Sequence, residues 1–245
     1  MNICFAIINY KFFHSHRLDL AKELAKTHSV RIVTDCSNGI PQEIKYLKSL
    51  GIEVINLPSR SKKNGYISYA LSLRRVIQNI NPEIVFYVTL EMSVFGAMIH
   101  HLLKIKKSFF LITGIGPFFY RKKLKYRVLQ LTQRLIFAFA LLKKNCVFVF
   151  QNTDDLEEFI DLKIATESNV QMIRGNGIDT NAFIYKERAY ENKIIFLYAS
   201  RLVLSKGIIE FIDASRLLKR KYPEAEFLIA GSYDAEDPDL SLIHI

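Results

Sequence analysis

The sequence predicts an α/β protein built on parallel sheets, and two observations support this. Hydrophobic runs rich in β-branched and aromatic residues alternate with segments of helical periodicity, and this βα alternation is typical of parallel sheets. The runs are also hydrophobic almost throughout, as expected for strands buried on both faces of a sheet. The alternation pauses near residue 180 and starts again at residue 194, which indicates two such sheets.

The individual elements follow from this alternation. In the first part, strands are predicted at 3–8, 30–35, 52–57, 83–89, 108–113, 146–151 and 170–175, and helices near 15–27, 41–50, 66–80, 92–103, 121–143 and 153–161. The second part contains a strand at 194–200, a helix at 206–222 that ends before Pro223, and a strand at 226–232. Asn81-Pro82 marks the end of the helix at 66–80, since proline cannot continue a helix.

The domain organisation predicted from this pattern has four parts. A Rossmann-like domain occupies 1–180, a linker 181–193, and a second domain 194–239. Because a self-standing domain needs on the order of 100 residues, the second domain is expected to be incomplete. Residues 240–245 match the in-frame translation of the transposase mosaic end used in DNA library preparation, and we interpret them as adapter sequence; a genuine short strand is the alternative.

Charge is distributed unevenly along the chain. Residues 1–150 contain 23 Lys and Arg against 7 Asp and Glu, whereas residues 151–245 contain 11 against 17. No acidic residue occurs between Glu91 and Asp154. Such an asymmetry predicts an anionic partner for the first part of the chain.

Cysteine usage and the amino terminus suggest a reducing, cytoplasmic setting. Cys4, Cys36 and Cys146 are far apart, with neither a disulfide framework nor the ligand spacing of a zinc site, and no metal is predicted. The amino terminus lacks a basic segment ahead of its apolar run and is interpreted as a first core strand rather than a signal peptide.

The most specific motif is Ala199-Ser200-Arg201-Leu202, followed by Ser205-Lys206-Gly207 and a helix. A cation after a strand and another at the next helix start would stabilise a leaving nucleoside diphosphate beside unpaired N–H groups. Taken singly, either residue could be an ordinary solvated loop residue. The whole motif resembles the opening of the donor domain of retaining family 4 glycosyltransferases, and the resemblance implies a GT-B fold with Arg201 and Lys206 as catalytic and donor-binding residues.

Other parts of the chain extend the resemblance. Asn176-Gly177-Ile178-Asp179 is similar to the family's interdomain signature and implies donor binding at Gly177; positive φ in a turn is an alternative role for this glycine. The segment from Phe13 to Leu18 resembles the acceptor-domain opening of members that extend lipid-linked sugars, which makes His16 and Arg17 candidate acceptor contacts.

Two further acceptor contacts are suggested by strand ends. Thr113-Gly114-Ile115-Gly116 resembles a loop of the same branch, and its glycines would let the backbone approach a sugar or phosphate; a tight turn is the alternative. Glu91 would bind an acceptor hydroxyl or be a solvated loop acid.

The basic segment at 121–144 has apolar residues at helical spacing and cations at both ends. Polar residues interrupt it, so we do not expect it to span a membrane. It is interpreted either as a helix lying on an anionic membrane surface or as a core helix with a solvated basic face.

The resulting prediction is a glycosyltransferase of hexosyl or N-acetylhexosaminyl groups. It would use a nucleotide-sugar co-substrate without a further cofactor, act on a lipid-linked saccharide with retention, and reside in the cytoplasm or peripherally on the cytoplasmic membrane face. Because the donor domain is expected to be incomplete, the chain as given is expected to be inactive. The alternative is a noncatalytic basic α/β module that binds membrane or nucleic acid, although no recognised nucleic-acid motif is present.

Overall fold

The computed structural model describes residues 1–37, 39–58, 65–115, 124–187 and 194–232, with only the backbone described at 125 and 126. The chain divides into two compact units, of which the first is Met1–Ala182 and the second begins at Phe183. Each unit is considered on its own below.

The first unit is built on a seven-stranded parallel sheet with strand order β3-β2-β1-β4-β5-β6-β7. The strands are β1 (Asn2–Asn9), β2 (Ser29–Asp35), β3 (Ile52–Asn56), β4 (Ile84–Val88), β5 (Lys107–Ile112), β6 (Cys146–Phe150) and β7 (Val170–Met172). The predicted parallel α/β architecture is therefore confirmed.

Helices connect these strands. They are α1 (Tyr10–His16), α2 (Leu18–Ala25), α3 (Pro41–Ser49), α4 (Tyr66–Ile80), α5 (Leu90–Ile99), α6 (Leu124–Leu141) and α7 (Thr153–Asp161), with short 3-10 turns at His100–Leu102 and Glu167–Asn169. Helix α4 ends as predicted, because Asn81 adopts a left-handed conformation (φ 47°) immediately before Pro82.

The sheet is buried on both faces, which explains why its strands are hydrophobic almost throughout. Cys4 and Ala6 of β1 face a core cluster that includes residues of α4, α5 and α6. Their neighbours Phe5 and Ile7 face a second cluster that includes residues of α1, α2 and α3.

The region after β1 differs from the prediction. A single helix was expected near 15–27, with His16 and Arg17 ahead of it or at its start, but the chain becomes helical at Tyr10 and breaks at Arg17. The side chain of Asn9 accepts a hydrogen bond of 2.9 Å from the Phe12 amide, and Tyr10 and Phe13 are buried one turn apart. This cap and these two buried rings stabilise a first helix that periodicity over a longer window does not reveal.

The described part of the second unit consists of β8 (Ile195–Ala199), a 3-10 turn (Leu204–Lys206), α8 (Ile208–Lys221) and β9 (Glu226–Ala230). The two strands pair in parallel, with Ile195 opposite Glu226 and Ala199 opposite Ala230. The helix expected from Lys206 begins two residues later, because Gly207 is left-handed (φ 77°) and precedes its first turn.

Candidate active site

The predicted site residues of the first unit lie where its parallel strands end. His16 and Arg17 follow β1, Glu91 follows β4, Thr113 and Gly114 follow β5, and Gly177 follows β7. Open α/β sheets bind ligands at the carboxyl ends of their strands, so this edge is the expected position for a site.

Arg17 is a buried cation at the break between α1 and α2. Its side chain is 6% exposed, and its Nη1 donates a hydrogen bond of 2.5 Å to the side-chain oxygen of Asn176. Its Nε is buried without a hydrogen-bond partner among the described residues. Burial lowers the pKa of Arg17, but a guanidinium retains its charge at neutral pH. The site therefore holds a positive charge with an unused donor.

Asn176 occupies a loop that places it against Arg17. The flanking Gly175 and Gly177 have φ of 70° and 75°, a conformation that residues with a Cβ rarely adopt. The Asn176 oxygen also accepts a hydrogen bond of 2.6 Å from Nε2 of Gln151, which follows β6. One amide oxygen thus joins the break after α1, the end of β6 and the loop after β7.

Two cavities flank this loop. One, of about 360 Å³, is lined by Arg17, Gln151 and Asn176 together with apolar side chains of the sheet, among them Phe86 and Phe109. The other, of about 580 Å³, is lined by His16, Lys22, Lys26, Asn176, Gly177 and Asp179, among others. Asn176 and Gly177 line both. The structure therefore brings His16, Arg17 and Gly177 together around one loop.

His16 is exposed and oriented by its own helix. Its Nδ1 lies 2.6 Å from the Ser15 hydroxyl, and its ring stacks on that of Phe12 with centroids 4.3 Å apart. The imidazole is consequently presented to the larger cavity in a defined orientation.

Glu91 lies in the first turn of α5, on the exposed surface. Burial, together with the negative charges of Glu91 and Asp35, raises the pKa of the Tyr69 hydroxyl to about 12. Glu91 and Asp35 therefore lie near a protonated phenol. Neither Glu91 nor the Thr113-Gly114 pair lines the two cavities beside Asn176.

The backbone is unusual at the ends of β4 and β5. Thr89, which caps α5, has a φ of 86°, and Gly114 has a φ of 155°, where an added Cβ would meet no atom of the described part of the chain within 4 Å. Positive φ at a β-branched residue stores strain, which persists where the surrounding structure demands that conformation. Gly116, predicted as part of the same loop as Thr113, lies outside the described residues, as do 121–123 of the basic segment.

In the second unit, Arg201 and Lys206 lie on the turn between β8 and α8, and both side chains are exposed. The turn is held by buried Val203 and Ile208 and by the Tyr198 hydroxyl, which donates a hydrogen bond of 2.9 Å to the Arg201 carbonyl. Gly231 approaches the Ser200 carbonyl so closely that a methyl group at this position would overlap it. Together these contacts fix the backbone that carries Arg201.

Helix α8 begins at this turn without a side-chain cap from any described residue. The first amides of a helix lack intrahelical partners and carry partial positive charge. The arrangement of Arg201, Lys206 and these amides suits a phosphate or diphosphate.

Two residues were not singled out from the sequence: Gln151, which binds Asn176, and Asp35, whose charge acts with that of Glu91 on Tyr69. Gln151 ends a predicted strand and Asp35 ends another, so a polar residue at the carboxyl end of a hydrophobic run was the available signal. Within the described residues there is no group of three or more His, Cys, Asp or Glu that could hold a metal ion. No helix in the described part of the chain has the length and hydrophobicity to cross a membrane.

Comparison with solved structures shows that the chain has the GT-B fold. Anabaena HepE, solved with UDP and glucose, aligns over 96% of this chain and 62% of its own, at 15% identity and a TM-score of 0.66. Sucrose-phosphate synthase from Thermosynechococcus elongatus aligns over 97% of this chain and 64% of its own, at 10% identity and a TM-score of 0.63.

The sequence comparisons then give the family. The family model described as "Glycosyl transferase 4-like" matches residues 2–152, and the chain belongs to this family. The chain is also 28% identical over 220 residues to the N,N'-diacetylbacillosaminyl-diphospho-undecaprenol alpha-1,3-N-acetylgalactosaminyltransferase of Campylobacter jejuni. That match covers 81% of this chain and 56% of the relative, so the chain spans little more than half the length of that protein.

Proposed function

We propose that this chain contributes the acceptor-binding unit and the start of the donor-binding unit of a retaining glycosyltransferase. The enzyme would move a hexosyl or N-acetylhexosaminyl group from a nucleotide sugar to a lipid-linked saccharide. The observation that carries the proposal is the pair Arg201 and Lys206 at the start of α8, which no described side chain caps, within a chain of the glycosyl transferase 4-like family.

On the donor side, the leaving group is a nucleoside diphosphate. When the bond between the anomeric carbon and the β-phosphate oxygen breaks, negative charge develops on that oxygen. Arg201, Lys206 and the first amides of α8 would stabilise this charge more strongly in the transition state than in the bound substrate. The nucleotide sugar is a co-substrate, and the proposal requires no further cofactor.

On the acceptor side, Arg17 is the principal candidate. A buried guanidinium with an unused Nε would bind an anionic group that enters the adjoining cavity, and a lipid diphosphate has the required charge. His16, presented to the neighbouring cavity, would contact the attached saccharide. The roles of Glu91, Thr113, Gly114 and Gly116 in binding acceptor hydroxyls belong to the same proposal.

The proposed acceptor also implies where the enzyme would act. A polyprenyl chain resides in the bilayer, so the reaction would take place at the cytoplasmic membrane surface. The Campylobacter relative, whose name specifies an undecaprenol-linked acceptor, supports this assignment.

The test is sugar transfer by the full-length gene product from the source locus. Radiolabelled nucleotide sugars are supplied with an undecaprenyl-diphosphate-linked saccharide, and the anomeric configuration of the product is read by NMR. An Arg201→Ala, Lys206→Ala double variant is compared with a matched Arg220→Ala, Lys221→Ala variant, which removes the same charge from the far end of α8. We expect the first to lose at least about a hundredfold in turnover and the second to lose little.

The same experiment addresses the alternative function. If no donor and acceptor pair supports turnover while the protein binds nucleic acid or vesicles through its basic first unit, the noncatalytic module becomes the better account. The 245-residue chain itself is assayed in parallel. We expect it to lack turnover, because it spans only 56% of the Campylobacter relative.

A further inference from the structure

Helix α6 presents an apolar stripe to solvent. Phe137 and Ala140 are buried against the core of the first unit, and the opposite side of the helix carries large hydrophobic residues. These exposed residues, from 53% for Phe139 to 77% for Leu124, are Leu124, Val128, Leu131, Leu135 and Phe139, together with Leu142 immediately after the end of the helix. We refer to these six residues as the α6 stripe.

The α6 stripe is continuous. Its members follow one another at intervals of three or four residues, which places them along one side of a helix. At a rise of 1.5 Å per residue, the helical part of the stripe, from Leu124 to Phe139, is about 22 Å long. Exposed apolar patches of this extent on a soluble protein mark surfaces that bind a partner or a membrane.

Cations border the α6 stripe. Arg127 and Arg134 are exposed, lie seven residues apart on the same flank of the helix, and form no ion pair with any described residue. Lys143 differs from them, because its Nζ donates hydrogen bonds to the carbonyls of His100, His101 and Leu103. The sequence from 92 to 153 contains no carboxylate. Helix α6 thus combines exposed apolar and positively charged side chains, and no acidic residue lies on the helix itself.

The combination of apolar and positively charged side chains distinguishes between possible partners of the α6 stripe. A second copy of the chain would bring a second α6, which carries the same arginines and no acidic residue of its own, so a symmetric dimer through α6 would oppose like charges. Nucleic acid would satisfy the arginines but leave the hydrophobic side chains in water. An anionic phospholipid surface provides both an acyl region for the leucines and phosphates for the arginines.

We propose that α6 docks lengthwise on an anionic phospholipid surface, with the α6 stripe inserted among the acyl chains and Arg127 and Arg134 among the headgroup phosphates. The proposal deepens the proposed function, since a lipid-linked acceptor lies in such a surface. Its test requires no sugar transfer, and therefore the two can fail independently.

The chain contains no tryptophan, so a single introduced tryptophan reports its own environment. Leu135→Trp places the indole on the α6 stripe, and Leu217→Trp places it on a similarly exposed position of α8 (62% and 67% exposed in the native chain). With vesicles of phosphatidylglycerol and phosphatidylcholine, we expect the emission of Leu135→Trp to shift to the blue and to be quenched by acyl-brominated lipid. The emission of Leu217→Trp should remain unchanged.

Flotation of the 245-residue chain with the same vesicles measures affinity. Arg127→Gln and Arg134→Gln should each weaken binding about fivefold, and Leu131→Gln, Leu135→Gln should weaken it about tenfold or more. The matched controls are Arg75→Gln, Arg220→Gln for charge and Ile67→Gln, Leu217→Gln for hydrophobicity. Because all substituted residues are exposed, far-UV circular dichroism and the thermal midpoint should stay close to wild type.

Several outcomes would overturn the proposal. These are equal flotation with pure phosphatidylcholine, unchanged flotation of the α6 variants, or blue shifts that are the same for both tryptophan positions. A dimer in sedimentation experiments that Leu131→Gln, Leu135→Gln abolishes, without vesicle binding by the wild type, would assign the α6 stripe to a second copy instead.

Discussion

Arg17 and Asn176 lie 159 residues apart in the chain, and their side chains are joined by a hydrogen bond of 2.5 Å. The bond connects the break between the first two helices to the loop after the last strand of the sheet. Because Arg17 is buried, this contact both restrains the loop and orients a charge toward the adjoining cavity.

Loss of the Asn176 side chain should lower the free energy of unfolding only while Arg17 is present. Asn176→Ala would leave a buried guanidinium with fewer hydrogen bonds, and we expect it to lower the free energy of unfolding by about 1–3 kcal/mol. In an Arg17→Met background the same substitution should cost at least about 1 kcal/mol less. Urea unfolding of the four proteins gives this coupling, and strictly additive costs would show that the two side chains act independently.

The cluster around His100 should make the first unit sensitive to acid. The His100 Nε2 donates to the Asn145 oxygen at 2.8 Å, and Nδ1 accepts from the Ser108 hydroxyl at 3.2 Å, an arrangement that suits a neutral ring. Burial, opposed by the bond to Asn145, lowers the pKa of His100 below its usual 6.5.

The direction in which stability changes with pH follows from proton binding at His100. Below about pH 6.5 the unfolded chain binds a proton at this histidine before the folded chain does, so stability falls as the pH drops through this region. Below the folded pKa the loss stops growing. We expect the free energy of unfolding to decline more between pH 7.5 and 5.5 in the wild type than in His100→Gln. Parallel pH profiles for the two proteins would contradict the assignment.

Gly96 in α5 should not tolerate a methyl group. A Cβ at this position would lie 2.5 Å from the ring of Tyr87, which is fully buried. Overpacking costs up to about 3 kcal/mol, whereas the higher helix propensity of alanine returns about 1 kcal/mol. Gly96→Ala should therefore lower the free energy of unfolding by about 2 kcal/mol.

Gly65→Ala is the matched control for this prediction, because an added Cβ there would meet no atom of the described residues within 4 Å. Thermal or urea unfolding compares the two variants. Equal stability of Gly96→Ala and the wild type would mean that Tyr87 moves aside without cost.

The sequence alone was sufficient for the parallel sheet of the first unit, because strands buried on both faces carry an unmistakable hydrophobic signal. Helix α4 was also predicted with its bounds Tyr66 to Ile80, because Asn81-Pro82 ends it. Helix α1 was missed because it is only seven residues long and its stability depends on burial of Tyr10 and Phe13, which only the tertiary structure supplies; the local Asn9 cap was the signal available in the sequence.

The site was predicted less completely than the fold. Arg17 was recognised as a candidate, but its contact with Asn176 depends on β1 and β7 ending at the same edge of one sheet. In the same way, Glu91 and Asp35 approach Tyr69 because α5 follows β4, which pairs with β1, and β1 pairs with β2. Such relationships between distant residues follow from strand order, which local spacing does not encode.

In the proposed enzyme, the second unit binds the donor and the first unit binds the acceptor. The most direct measurement is steady-state transfer by the full-length gene product, with each substrate varied in turn. We predict that Lys206→Ala lowers kcat and leaves the KM for the lipid-linked acceptor nearly unchanged, whereas Arg17→Met raises that KM at least about tenfold with a smaller effect on kcat. If Arg17→Met leaves the acceptor KM unchanged, or Lys206→Ala leaves kcat unchanged, this division of roles is wrong.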